Sequence, residues 1–358
     1  MSITQELYLF FGLNAFFFLS ESYINEQMRK IILLALVFLA IIVVGFRSPN
    51  ETPDTFMYMS YFSEFPEIGD ALYGDTSYYE LWHIETGYLF VGAIIKAFTE
   101  YTEIFFLIIG AIALGCYYMI FLKRTSYPLT AFFIYVSTFF IMRECVQIRQ
   151  GIACALVLLS THYIINKQYY KYIACLIVGC CFHMIAITGF ALIIVNNIDW
   201  TAKKIYIVCF ICLIISQISW IYQIAESLGD MGLMYYRVGR YLGTKVATQN
   251  VTIIKFLVNV GILLFCGRIL VNSQKNKYEN LLIGMFALGA LSQGVFFEFR
   301  EVADRVSSMY YTAMFLMIPA VMTKIKKQII LRILLLIMMG WYFARMVNWL
   351  TDPMQSLV

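Results

Sequence analysis

Residues 128–165 read PLTAFFIYVSTFFIMRECVQIRQGIACALVLLSTHYII, two apolar runs flanking MRECVQIRQ at residues 142–150, which holds two arginines, a glutamate and two glutamines. An arginine at bilayer depth costs several kcal/mol even on the lenient insertion scale, so it is held by a partner, by a water-filled cavity or by an anion. The apolar runs point to membrane-spanning helices, and the polar insert marks the first place to look for function.

The rest of the chain repeats the pattern. Of 358 residues, 61% are apolar and 13% charged, with a mean hydropathy of +0.76. Soluble domains carry about 25% charge, so a soluble globular domain is excluded. Apolar runs near 20 residues read as spanning helices. The expectation is an all-α polytopic membrane protein, residues 1–358 forming a single integral membrane domain with about twelve transmembrane helices. The run at 3–20 has no Lys or Arg before it and no clear small-residue cleavage site, so it reads as a retained first helix. The nine cysteines lie in or at the ends of apolar segments with no histidine cluster nearby, which suits small membrane-core residues rather than disulfides or a metal site.

Lys and Arg in short loops mark the cytoplasmic side. Basic clusters at Arg29/Lys30, Lys123/Arg124, Lys167/Lys171, Lys203/Lys204, Lys275/Lys277 and Lys324–Lys327 are all assigned there. Parity then threads the chain through spans at 3–20, 31–46, 104–122, 128–142 and 150–165, with MRECVQIRQ at the outer face. Between Lys167 and Lys203 an even number of crossings is needed from only 28 apolar residues, 169–196, which requires two short helices meeting near His183. Non-helical backbone at that depth needs protein or water around it. Further spans follow at 204–222, 252–271, 279–298, 305–322 and 328–347, with 223–250 as an outer loop containing Arg237 and Arg240. Residues 86–98 are too short to span and read as a re-entrant or interfacial helix.

The outer loop 47–101 contains the long hydrophilic stretch. From Arg47 to Glu85 it holds eight of the 22 acidic residues, one basic residue and nine aromatics, including Tyr58, Tyr61, Tyr78, Tyr79 and Trp82. Aromatics beside carboxylates suit sugar rings, which offer hydroxyls and apolar C–H faces; aromatic-belt anchors among solvated charges are the plainer account. Under this threading the outer face collects Arg47, Asp54, Glu85, Arg143, Arg149, Gln150, His183, Arg237, Arg240, Arg300, Asp304 and Arg305. Arginine forks match phosphate oxygens bidentately and keep their charge in a low-dielectric site, so the set suggests a phosphate or diphosphate ligand, and a lipid-linked diphosphate in particular. Pairing with Glu144, Glu301, Asp304 and lipid head groups is the alternative. A neutral His183 can take a proton from a sugar hydroxyl, or be a hydrogen-bonded core histidine. Asp54 follows Pro53 at a helix start, where a cap is as natural as a site carboxylate, and it shares a helix face with Tyr58. Glu85 has the same ambiguity. His162 and His83 read as structural. No nucleotide, serine-hydrolase or outer-face DxD metal motif is present, so no cofactor or metal is expected, and a transferase would use arginines to neutralise the leaving group.

The blocks GFRSPNETPDTFMYMSYF, ETGYLFVGAIIKAF and IRQGIACALVLLSTHYIINKQYYKYIACLIVGCCFHMIAITGFALI, in that order, resemble the EpsG-like branch of the Wzy-type polymerases, which polymerise bacterial O-antigen, capsule and exopolysaccharide repeat units. The resemblance implies a GT-C-like multi-spanning glycosyltransferase in the bacterial inner membrane with its site facing the periplasm. There a growing glycan leaves undecaprenyl diphosphate and joins the non-reducing end of a lipid-linked repeat unit, in the company of a chain-length regulator and a flippase. It carries over Arg47, Asp54, Tyr58, Glu85, Arg149, Gln150 and His183 by motif, and Arg305 more loosely. Thr52 and Pro53 stand where a glycine usually precedes the aspartate. The expected roles are Arg149, Arg305, Arg143 and Arg237 on the donor diphosphate, His183 or Asp54 as base, and Arg47, Tyr58, Glu85, Gln150, Arg240 and Arg300 on the substrates. A lipid-oligosaccharide flippase and a membrane O-acyltransferase are the alternatives; the first should show an internal repeat, the second cations facing inward beside His183.

Overall fold

A computed structural model describes residues 3–48, 51–73, 84–218, 249–297 and 299–351. All regular structure among them is helical. The loop bearing Arg237 and Arg240 lies outside the described residues, as do Tyr78, Tyr79, Trp82 and His83. In chain order the helices are α1 (Ile3–Ser20), α2 (Glu26–Gly45), α3 (Thr55–Glu64), α4 (Ile68–Tyr73), α5 (Thr86–Lys96), α6 (Thr102–Arg124), α7 (Pro128–Tyr135), α8 (Ile148–Ile165), α9 (Tyr169–Phe182), α10 (Leu192–Asn196) and α11 (Ala202–Ile215). They continue as α12 (Gln249–Asn272), α13 (Lys277–Val295), α14 (Arg300–Tyr311), α15 (Met314–Lys324) and α16 (Gln328–Thr351). The chain forms two compact units, Met1–Ile187 with Ile325–Val358, and Thr188–Lys324.

Among the described residues, seven helices are long and apolar enough to cross a bilayer: Ile3–Tyr23, Glu26–Gly45, Thr102–Arg124, Pro128–Val146, Ile148–Ile165, Ile253–Asn272 and Gln328–Leu350. These coincide with seven of the expected spans. The second starts earlier than hydropathy alone suggests, because Asn25 accepts a bond from Met28 N at 2.9 Å and so caps the helix five residues upstream. The other five expected spans take different forms. Tyr169–Phe182 and Met184–Asn196 are short apolar helices separated at His183, whose backbone is extended (φ −159°, ψ 121°). α11 covers the described part of 204–222, and α13 opens on Lys277 and Glu279. α14 and α15 together pass the length and apolarity test but are bent by 45°, with Pro319 inside α15.

The first unit is built on close helix contacts. Gly45 and Gly110 let α2 and α6 approach, with Leu107 against the one and Val44 against the other. α7 runs on into an 11-residue π-helical segment, Val136–Val146, closed by Gln147 N on Met142 O at 2.7 Å. Phe18 stacks on Phe133 at 4.4 Å. The start of α7 has no side-chain cap of its own. Glu21 supplies one from 108 residues away, accepting from Leu129 N at 2.7 Å and Thr130 N at 2.9 Å, where the helix N-terminus favours negative charge. In the second unit α13 is central: Asn280 accepts from Trp200 N at 2.9 Å, and Gln293 accepts from Tyr311 Oη at 2.6 Å and Asn259 Nδ2 at 3.1 Å. The nine cysteines are all unbridged. Cys209 and Cys212 have C-x-x-C spacing, and both are buried in α11 without forming a disulfide.

Candidate active site

The polar residues of the first unit gather where the segment after α2, the starts of α3, α5 and α8, and the end of the π-helical segment come together. Arg47 follows the last turn of α2 and is 5% exposed. Its Nε donates to Thr55 Oγ1 at 2.9 Å, its Nη1 to Val44 O at 2.7 Å, and its plane lies 3.7 Å from the centroid of Phe106. Burial depresses its pKa, yet a guanidinium keeps its charge in proteins. Thr52 shares a hydrogen bond with Thr55 and donates to Cys145 O at 3.0 Å, so the residues before α3 are stitched to the π-helical segment.

Arg149, in the first turn of α8, pairs with Glu85 at the threshold of α5: Nη1 to Oε2 is 2.5 Å, with the side chains 18% and 15% exposed. Arg149 also hydrogen-bonds the Tyr58 hydroxyl, and its guanidinium lies 5.9 Å from the Tyr88 ring centroid. Burial pushes the Tyr58 hydroxyl up to about 12, partly offset by Arg149, so it is a neutral phenol at physiological pH. Burial likewise raises Tyr61. The rings of Tyr58 and Tyr88 stand 6.2 Å apart. Two donors of this cluster, Arg47 Nη2 and Tyr88 Oη, are buried without a partner. An unmet buried donor costs about 1–3 kcal/mol, so a pair of them beside a half-buried ion pair points to a ligand that supplies acceptors.

Arg143 and Glu144 close the π-helical segment rather than standing in an open turn. Arg143 Nη1 donates to Gln147 Oε1 and, at 2.8 Å, to Gln150 Oε1, so the two glutamines of MRECVQIRQ hold its fork. Glu144, 1% exposed, accepts from Tyr135 Oη at 2.7 Å. Gly151 is required there: a Cβ would come within 2.5 Å of Arg143 O. An extra residue per turn is characteristic of functional sites, and here it packs two opposite charges into the interior.

Asp54 occupies the N-cap position of α3 but makes no side-chain capping bond; its carboxylate acts electrostatically on Tyr58 and Tyr61. Glu85 likewise sits at the N-cap of α5 without capping it. His183 accepts from Ile185 N on ring Nδ1 at 3.3 Å, and its backbone N–H donates to Gly179 O at 2.9 Å. It is tied to the cluster through Gly87, where a Cβ would stand 2.6 Å from Cys181 Cβ and 2.7 Å from Cys181 O. Glu85 and His183 each lie two residues from that contact. His162 accepts from Arg124 Nε at 3.0 Å, as a structural histidine would.

Arg300 and Arg305 belong to the second unit and are paired on their own helix, Arg300 with Asp304 at 3.8 Å and Arg305 with Glu301. Asp304 also binds Lys255 at 2.9 Å. The structure thus brings together Arg47, Tyr58, Glu85 and Arg149 directly, with Arg143 and Gln150 adjoining through α8. Sequence reasoning missed Tyr88, Thr52, Thr55 and Tyr135. Tyr88 follows Glu85 by three residues, which places it on the adjacent helix turn, but nothing local marks Tyr135 as the partner of Glu144.

Buried Arg47 and Arg143, the Arg149–Glu85 ion pair, neutral phenols and a histidine at a helix break thus lie in a polytopic, all-helical protein with several helices long and apolar enough to cross a membrane. The family model described as the EpsG family matches residues 7–356, so the chain belongs to the EpsG family of Wzy-like polymerases. It is therefore a polysaccharide-polymerase-type membrane protein. No curated protein and no solved structure matches it significantly.

Proposed function

We propose that the protein extends a bacterial polysaccharide, transferring a growing glycan from undecaprenyl diphosphate to the non-reducing end of a lipid-linked repeat unit at the periplasmic face of the inner membrane. The observation that carries the proposal is the half-buried Arg149–Glu85 pair with buried Tyr58, and the two unmet donors Arg47 Nη2 and Tyr88 Oη beside it. A donor diphosphate supplies the acceptors these groups lack, and Arg149 exchanges its carboxylate for phosphate oxygens. The acceptor hydroxyl oxygen forms a bond to the anomeric carbon as the carbon–oxygen bond to diphosphate breaks. The hydroxyl proton passes to Asp54 or His183, and direct displacement inverts the anomeric centre. Fixed cations facing the leaving group are the largest expected contribution to rate.

The test is polymerisation of a purified lipid-linked repeat unit by the purified chain alone. Wild type lengthens the glycan, Arg149→Ala abolishes lengthening, and Arg149→Lys, which retains charge but not the fork, retains a small fraction. Translocation of the lipid without lengthening would assign the protein to the flippases instead. Normal lengthening by well-folded Arg149→Ala would remove Arg149 from the site.

A further inference from the structure

Arg47 begins a chain of hydrogen bonds whose direction is fixed at every step. Its Nε–H donates to Thr55 Oγ1 at 2.9 Å. The hydroxyls of Thr55 and Thr52 share a hydrogen bond, and Thr52 Oγ1 donates to Cys145 O at 3.0 Å. A hydroxyl has one proton to give. That of Thr52 is committed to Cys145, so Thr55 is the donor to Thr52. The order runs from Arg47 through Thr55 and Thr52 to Cys145 O, with every donor pointing the same way, so each bond polarises the next. All four residues are buried.

Both ends of the chain bear on the candidate site. At the far end, Cys145 lies in the last turn of the π-helical segment and four residues before Arg149. At the near end, Val44 O holds Arg47 Nη1 and the Phe106 ring lies against the guanidinium. Of the three guanidinium nitrogens, Nη2 is the one left without a partner. A stitch between the start of α3 and the π-helical segment needs only the bond from Thr52 to Cys145. The bonds from Arg47 to Thr55 and from Thr55 to Thr52 carry that restraint on to the guanidinium.

We infer that Thr52 and Thr55 are positioning residues, whose hydroxyls hold Arg47 so that its open Nη2 meets a phosphate oxygen of the donor at a fixed place relative to Arg149. The inference rests on the diphosphate reading given above and adds to it the residues that orient one of its cations. Neither threonine touches the substrate; both act through Arg47.

The experiment titrates inorganic diphosphate calorimetrically into the purified full chain, alongside thermal unfolding and the polymerisation assay. Thr55→Val removes the acceptor of Nε and should weaken diphosphate binding by about tenfold, the worth of one hydrogen bond to a charged group. Its kcat/KM for the lipid-linked donor should fall to match. Thr52→Val acts one bond further back and should weaken binding by about threefold. Thr55→Ser and Thr52→Ser keep the hydroxyls and should bind within about twofold of wild type. In an Arg47→Met background, Thr55→Val should leave the remaining diphosphate affinity unchanged, because the cation it positions is gone. A hydroxyl with a merely structural role would weaken binding by the same factor in both backgrounds, so equal factors overturn the inference. Wild-type affinity in Thr55→Val, or no diphosphate binding by wild type, also overturns it. The expected binding pattern in a protein that does not lengthen the glycan would uphold the positioning role and refute the polymerase function. Lengthening by Thr55→Val at wild-type efficiency would refute the positioning role and leave the polymerase function standing.

Discussion

Gly87→Ala tests whether the site depends on how closely α5 meets α9. A Cβ at this position would stand 2.6 Å from Cys181 Cβ and 2.7 Å from Cys181 O. Carbon–carbon contacts are favourable at about 3.5–4.0 Å, so the two helix ends must part by about 1 Å, since backbone sits on one side of the clash. Glu85, two residues away, moves with α5 while Arg149 stays on α8, and their 2.5 Å bond lengthens past good hydrogen-bond geometry. Misplacement of about 1 Å in a catalytic array costs on the order of 10²-fold in rate, and overpacking costs about 1–3 kcal/mol of stability. Gly115→Ala is the control: nothing lies within 4 Å of its Cβ, and alanine in a helix interior stabilises by about 0.5–1 kcal/mol. The assay pairs kcat/KM for polymerisation with thermal unfolding in the same detergent. Folded Gly87→Ala that polymerises within about twofold of wild type would refute the reasoning.

Three further outcomes are expected. Glu85→Ala removes the counter-charge of a largely buried arginine and should destabilise by about 2–4 kcal/mol, whereas Glu85→Gln keeps an acceptor and should be milder; both free Arg149 and should tighten competitive inhibition by inorganic diphosphate. Tyr58→Phe leaves Arg149 without its phenol acceptor, a loss of about 1–3 kcal/mol in thermal or chemical unfolding. Because the folded hydroxyl is raised to about 12 from an unfolded value near 10, the neutral form's contribution is fully present below pH 10 and is lost as pH rises towards 12; the wild-type advantage over Tyr58→Phe should shrink only in that window. Glu21→Ala uncaps α7 by removing two charge-assisted bonds and should cost about 3 kcal/mol in the unfolding assay, with polymerisation per folded molecule unchanged.

Much of the polar cluster that forms the candidate site was legible because charge in an apolar chain is conspicuous. Arg47, Tyr58, Glu85 and Arg149, singled out by chemistry and by the ordered blocks, meet in one cluster. Arg143 was expected on the donor diphosphate, with Glu144 or a lipid phosphate as the alternative; in the structure its Nη1 donates to Gln147 and Gln150, because the π-helical turn brings both glutamines round to it. Asp54 and Glu85 look like caps in sequence and occupy cap positions, yet neither caps, since Glu85 is taken by an arginine 64 residues on. Arg300 and Arg305 took the alternative of pairing with neighbours one turn away on their own helix.

The sequence by itself determined the class of structure: a bilayer accepts only backbone that satisfies its own hydrogen bonds, so long apolar runs become helices. It also pointed to the break at His183, because 28 apolar residues between two basic clusters are too few for two full-length spans and read as two short helices. The tertiary structure alone decided which cation meets which acceptor. Arg149 finds Glu85 and Tyr58, Glu21 caps α7, and Gly87 meets Cys181 through contacts between residues dozens of positions apart. Hydropathy and helical period are properties of a short window, whereas the partner of a buried charge depends on which helices pack together.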